Sequence, residues 1–155
     1  MRVFKVVFYC ASLFSFILSF IDNSLYLNIL GIPFQILLLV SCHEIGHVFA
    51  CVLTHTKINC IEVLGFKIEN GKFFVTKELS LFGRVNFNQS EHRVLILMAG
   101  LFSSLIASLF FVALYCFGLL PIIYLIVALL FLFGVLLPVK ESDMYKILKA
   151  KFRDK

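Results

Sequence analysis

Residues 33–54 read PFQILLLVSCHEIGHVFACVLT, and this stretch decides what kind of molecule the chain is. It is an apolar run of the length that crosses a bilayer as one helix, yet His43, Glu44 and His47 stand in its second half. Pro33 suits the first turn of a helix, so the regular helix is expected to begin near it and to end near Thr54. A carboxylate at mid-helix in lipid costs about 2.5–3.5 kcal/mol on insertion scales. Something has to compensate Glu44.

The spacing supplies a candidate. Residues four apart on a helix lie one turn apart on one face, so His43 and His47 can bring imidazole nitrogens to one ion. Glu44 lies about 100° round from His43, beside such an ion and not on it. The pattern His43-Glu44-Ile45-Gly46-His47 has the geometry of a zinc hydrolase, with two metal ligands and a general base. Zinc lowers the pKa of its bound water to about 7, and Glu44 is placed to take the proton as a peptide carbonyl is attacked. The bland alternative is a set of polar residues that satisfy one another within the helix.

Outward from this stretch the chain stays apolar. Of its 155 residues 61% are hydrophobic, 19 are Phe, and no Trp is present. That share exceeds the one typical of a water-soluble domain, and the length predicts a single membrane domain. Residues 3–21 form a first spanning run after the short basic start of Arg2 and Lys5, without the small-residue cleavage site of a signal peptide. Residues 93–117 and 119–137 form two more, parted by Gly118 and Pro121. The expected architecture is therefore an all-α polytopic membrane protein of about four transmembrane helices.

Charge sets the expected orientation. The 14 Lys and Arg residues stand at the N-terminus, between the second and third runs, and from Lys140 onward. The loops at 22–24 and 118–121 hold none. This positive-inside pattern places both termini and the central loop in the cytoplasm. The net charge of +5 thus reports topology and contact with anionic lipid in preference to a nucleic-acid partner. Cys10, Cys42, Cys51, Cys60 and Cys116 show no paired spacing, and Cys42 and Cys51 complete no zinc pattern.

Within the central loop, Gly65-Phe66-Lys67-Ile68-Glu69 and Lys72-Phe73-Phe74-Val75-Thr76 flank Asn70-Gly71, a strong hairpin signal. A hairpin over 65–76 pairs Ile68 with Phe73, Phe66 with Val75 and Glu69 with Lys72. Its apolar face suits the membrane domain, and a free edge can receive an extended peptide. In the third run Ala99, Ser103, Ala107 and Gly100, Ser104, Ser108 form two stripes of small residues, which match Gly46 and Ala50 and predict close helix packing. Residues 144–155 form a basic amphipathic tail suited to the inner membrane surface.

Catalytic zinc takes three protein ligands and water, so a third ligand is needed. His55 is two turns beyond His47 and too far along the helix, and Leu53 stands where a metzincin has its third histidine. Glu62, Glu69 and Glu78 in the loop are open alternatives. Asp143 is favoured because the fourth run returns to the same side as His43 and His47. Pro138 ends regular helix there, and Ser142 or Asp143 can start another.

These residues resemble the site-2 proteases, intramembrane zinc metalloproteases. The resemblance rests on His43-Glu44-Ile45-Gly46-His47, the intervening hairpin, Ala99-Gly100, and Leu137-Pro138-Val139-Lys140-Glu141-Ser142-Asp143. It implies zinc held by His43, His47 and Asp143, with Glu44 as base, and a membrane-embedded or membrane-associated peptide substrate cut near the cytoplasmic face. Val135 and Met144 stand near places where that family usually has Asn and Gly, and Leu101 follows Gly100 where Pro is common. The oxyanion group is thereby unassigned, with Ser103 and Ser104 as substitutes to be oriented. Two other function classes fit the composition: a non-catalytic zinc-containing membrane protein that binds transmembrane segments, and a small metal transporter.

Overall fold

The computed structural model describes residues 2–63, 66–69, 72–76, 83–87, 92–139 and 142–153. Helices α1 (Arg2–Leu18), α2 (Leu25–Leu53), α3 (Arg93–Cys116), α4 (Ile122–Leu136) and α5 (Asp143–Arg153) dominate. Strands β1 (Ile58–Val63), β2 (Phe66–Glu69), β3 (Lys72–Val75) and β4 (Arg84–Phe87) lie between α2 and α3. Both α2 and α3 are long and apolar enough to cross a membrane, whereas α1 and α4 are shorter apolar helices.

α2 differs from the expectation that regular helix begins near Pro33. It starts at Leu25, capped by Ser24, whose side chain accepts from the Leu27 N–H at 3.4 Å. Pro33 lies inside it, where proline removes one N–H and crowds the preceding turn. The neighbouring pair, the Leu30 carbonyl and the Phe34 N–H, is joined through α1. Ser12 donates its hydroxyl to Leu30 O at 2.7 Å and accepts from Phe34 N at 2.9 Å. A serine of another helix thus satisfies the backbone where the proline disturbs it.

The core lies where α1, α2, α3 and α4 meet, around Phe16, Leu39, Phe111, Leu120, Tyr124 and Ala128. Phe16 and Tyr124 meet edge to face at 5.1 Å. Polar residues lie inside as well: Ser12, Ser15, Ser19, Asn28, Gln35, Ser104 and Ser108 are buried, while Phe4, Phe14, Phe102, Phe110, Leu130 and Phe133 point outward.

The expected hairpin is present but forms half of a larger sheet. All pairings are antiparallel in the order β3-β2-β1-β4. Phe66 pairs with Val75, Ile68 with Phe73 and Glu69 with Lys72, as the two-residue turn requires. Asn70 and Gly71 themselves lie outside the described residues. Phe66 stacks on Phe73 at 5.8 Å and approaches Tyr9 of α1 at 5.8 Å, so the apolar face of the hairpin meets the helices. Lys5 of α1 adds a bond from Nζ to Thr76 O at 2.9 Å. At the other end Ile58 and Phe87 pack on Ala50, Cys51 and Ile96. The sheet therefore sits on the ends of α2 and α3, with β1 and β4 against α2, the helix that carries His43 and His47.

Candidate metal centre

α2 places His43, Glu44 and His47, and α3 determines how closely their helix can be approached. A Cβ at Gly46 would meet the Ala99 carbonyl oxygen at 2.5 Å and Ser103 Cβ at 2.7 Å, so this crossing needs glycine. Ser103 donates to the Cys42 carbonyl at 2.6 Å across the same contact. Opposite His47 the glycine belongs to α3, since a Cβ at Gly100 would overlap Nε2 and Cε1 of the ring. The stripes of small residues expected on α3 are in use: one side receives α2, and the other leaves room for an imidazole.

The tautomers follow from the bonds each ring makes. His47 Nδ1 lies 2.8 Å from the Ile96 carbonyl oxygen, which can only accept, so Nδ1 carries the proton. His43 Nδ1 lies 2.7 Å from Ser104 Oγ, and Ser104 gives its own proton to Gly100 O at 3.1 Å. His43 Nδ1 is thus also a donor. Both Nε2 atoms therefore face each other at 3.1 Å as acceptors when the rings are neutral. Asp143 completes the triangle, with Oδ2 2.9 Å from His43 Nε2 and 2.8 Å from His47 Nε2.

Three lone-pair atoms pointed at one spot repel unless a proton or a cation lies among them. His43, His47 and Asp143 form a group able to hold a metal ion, and two imidazoles with one carboxylate are a donor set that zinc accepts with a position left open. Edges of 2.8–3.1 Å need widen by only a few tenths of an ångström, because tetrahedral zinc bonds of about 2.0–2.2 Å set ligand atoms about 3.3–3.5 Å apart. The outward Nδ1 bonds to Ser104 and Ile96 are the supports that orient metal-binding histidines.

Asp143 is the first residue of α5. Ser142 caps that helix, accepting from Tyr145 N at 3.2 Å and donating to Leu137 O at 3.0 Å. Ser142 thus ties the start of α5 to the end of α4, which is how a carboxylate distant in sequence reaches the histidines. Burial by itself pushes the Asp143 carboxyl up; with a proton lying among the three atoms, hydrogen bonds from His43 and His47, the charge of His47 and that of Lys146 together hold it well below the ordinary carboxylate range. Lys146 Nζ donates to Asp143 Oδ1 at 3.2 Å, so Oδ1 is occupied and Oδ2 faces the histidines.

Glu44 is 4% exposed, and its Oε2 has no hydrogen-bond partner among the described residues. Gly83, just before β4, lies against it; a Cβ at Gly83 would overlap Oε1. A buried carboxylate with an unmatched oxygen points to a proton or solvent molecule as its counterpart.

The other ligand candidates lie elsewhere. Glu69 pairs with Lys67 at 2.8 Å in β2, Glu62 pairs across β1 and β4 with Arg84, and His55 occupies a positive-φ turn after α2. Glu78 is outside the described residues. Cys42 and Cys51 do not join the group. Ser103 and Ser104 both spend their protons on backbone carbonyls, which leaves neither free to donate to an oxyanion. The Ile96 carbonyl, Lys146 and Gly83 are neighbours of the site that were not foreseen. Lys146 had a signal, its i, i+3 spacing from Asp143; Gly83 had none, because its contact with Glu44 spans different elements.

Comparison with protein-family models, with curated proteins and with solved structures finds no match.

Proposed function

We propose that this chain is an intramembrane zinc metalloprotease, similar to the site-2 proteases, that hydrolyses membrane-embedded or membrane-associated peptides near the cytoplasmic face. The observation that carries the proposal is the convergence of His43 Nε2, His47 Nε2 and Asp143 Oδ2 beside a buried carboxylate with an unmatched oxygen. The four-span topology is part of the proposal. It is supported by two helices of spanning length, by apolar side chains outside with polar ones inside, and by the distribution of basic residues.

In this mechanism His43, His47 and Asp143 would hold zinc. The ion supplies Lewis-acid polarisation of the scissile carbonyl and lowers the pKa of water to about 7. Glu44 accepts the proton that water loses and returns it to the leaving amine. Ser104 and the Ile96 carbonyl keep both imidazoles in the Nδ1–H form. A helical substrate hides its peptide bonds, so it must be presented extended. β4 ends the sheet, and Gly83 before it touches Glu44; a peptide added along that edge would lie beside the base.

A non-catalytic metal-containing protein that grips transmembrane segments is the rival, favoured by the cover that Gly83 places on Glu44. Replacement Glu44→Gln separates the two. New protein N-termini are mapped in membranes of cells expressing wild type or the variant, with the zinc content of each purified protein. The expected result is N-termini that need wild type and vanish in a variant that keeps its zinc. Equal cleavage by both would overturn the proposal.

A further inference from the structure

α5 supplies the one converging group that α2 does not, and its own character is unusual for a helix that positions a ligand. It has 11 residues, DMYKILKAKFR, a length at which a helix is marginal without support from its surroundings. What α5 rests on therefore decides whether Asp143 stays beside the histidines. Met144, Ile147 and Leu148 are half-buried, while Lys149 is exposed. Lys146 and Lys149 lie along one side of the helix, and Arg153 continues the same spacing of three and four residues in the sequence.

Within α5 that basic side has a single acidic counterpart, which pairs with Lys146 and leaves none for Lys149. The only acid of α5 is Asp143, and both of its oxygens are engaged, Oδ2 by the histidines and Oδ1 by Lys146. The chemistry that complements a basic stripe beside an apolar face, on a helix packed against the apolar helices α3 and α4, is the phosphate of anionic lipid headgroups. Lys146 also links the stripe to the site, since its ammonium is the group that touches the Asp143 carboxylate.

We propose that α5 is an anionic-lipid-responsive element: headgroup phosphates gathered along Lys146, Lys149 and Arg153 seat the helix and so hold Asp143 in place for the metal. This rests on the metal-site reading above and adds a regulator to it. Membrane composition then sets the affinity of the centre for its ion, through the only ligand that is not on α2.

The test uses the full chain, stripped of metal and reconstituted in vesicles of phosphatidylcholine, alone or mixed with phosphatidylglycerol. Co2+ is titrated and followed by its visible absorption. Anionic vesicles also concentrate Co2+ at their surface, so the deciding comparison is wild type against Lys149→Gln/Arg153→Gln in the same vesicles. The expected result is wild type binding about tenfold tighter than the double variant in phosphatidylglycerol vesicles, equal binding of the two in phosphatidylcholine, and loss of the difference at high salt. Equal Co2+ affinity of wild type and variant in both vesicles would overturn the proposal and leave the metal centre standing. Absence of Co2+ binding in every sample would overturn the metal centre itself, and this inference with it.

Discussion

The imidazole of His47 occupies the space that a side chain at residue 100 would need, because a Cβ on Gly100 would overlap Nε2 and Cε1 of the ring. Gly100→Ala favours the helix itself, by up to about 1 kcal/mol in intrinsic propensity. Any loss therefore reports the displaced ring. The variant is expected to keep its helical circular dichroism and to purify with zinc well below one ion per chain. A full complement of zinc would show that His47 can bind from another position.

Ser104 accepts from His43 Nδ1 and passes its own proton to Gly100 O. Ser104→Ala removes the acceptor, so the ring is free to rotate or to move its proton to Nε2. Loss of such a supporting contact typically weakens metal binding about 10–100-fold. Competition against a chromogenic chelator measures the change. Unaltered affinity would mean that helix packing alone orients His43.

On the proposed function, Gly83→Ala addresses Glu44 and not the metal ligands. The new methyl would push on the Glu44 carboxylate, which has little free space at 4% exposure. Cleavage is expected to fall while bound zinc is retained, the reverse of the ordering at Gly100. Parallel measurement of zinc and of N-terminal products in the two glycine variants checks it. Zinc loss at Gly83→Ala would place this contact on the metal ligands instead.

Ser12 and Pro33 act on the same stretch of α2. Ser12→Ala leaves Leu30 O and Phe34 N–H without the hydroxyl that joins them, at a cost of about 1–3 kcal/mol. With Pro33→Ala in the same chain a regular helix can pair the two groups directly. The double variant is expected to recover about 1 kcal/mol relative to the sum of the single ones. Unfolding in mixed micelles gives the cycle, and additive effects would refute the coupling.

How much could be read in advance varied with the range of the interaction. The hairpin register was legible because Asn70-Gly71 limits the turn and side chains alternate strictly along a strand. β1 and β4 were not, since Ile58–Val63 follows α2 after a short turn and Arg84–Phe87 is four residues long, too short for alternation to stand out. Pro33 misled for the opposite reason: local chemistry places proline in the first turn, and a serine in α1 allowed it to sit inside.

The sequence by itself determined that His43 and His47 share a helix face, with Glu44 about 100° round from His43, because helical periodicity fixes these angles. It also determined the apolar runs and the segments between and beyond them in which basic residues collect. Only the tertiary structure decided that Asp143, among several carboxylates, comes within 2.8–2.9 Å of both histidines, and that Ile96, Ser104 and Gly100 orient and admit the rings. Those relations join residues far apart in the chain. They depend on how α3 and α5 pack against α2, and no local spacing encodes that distance.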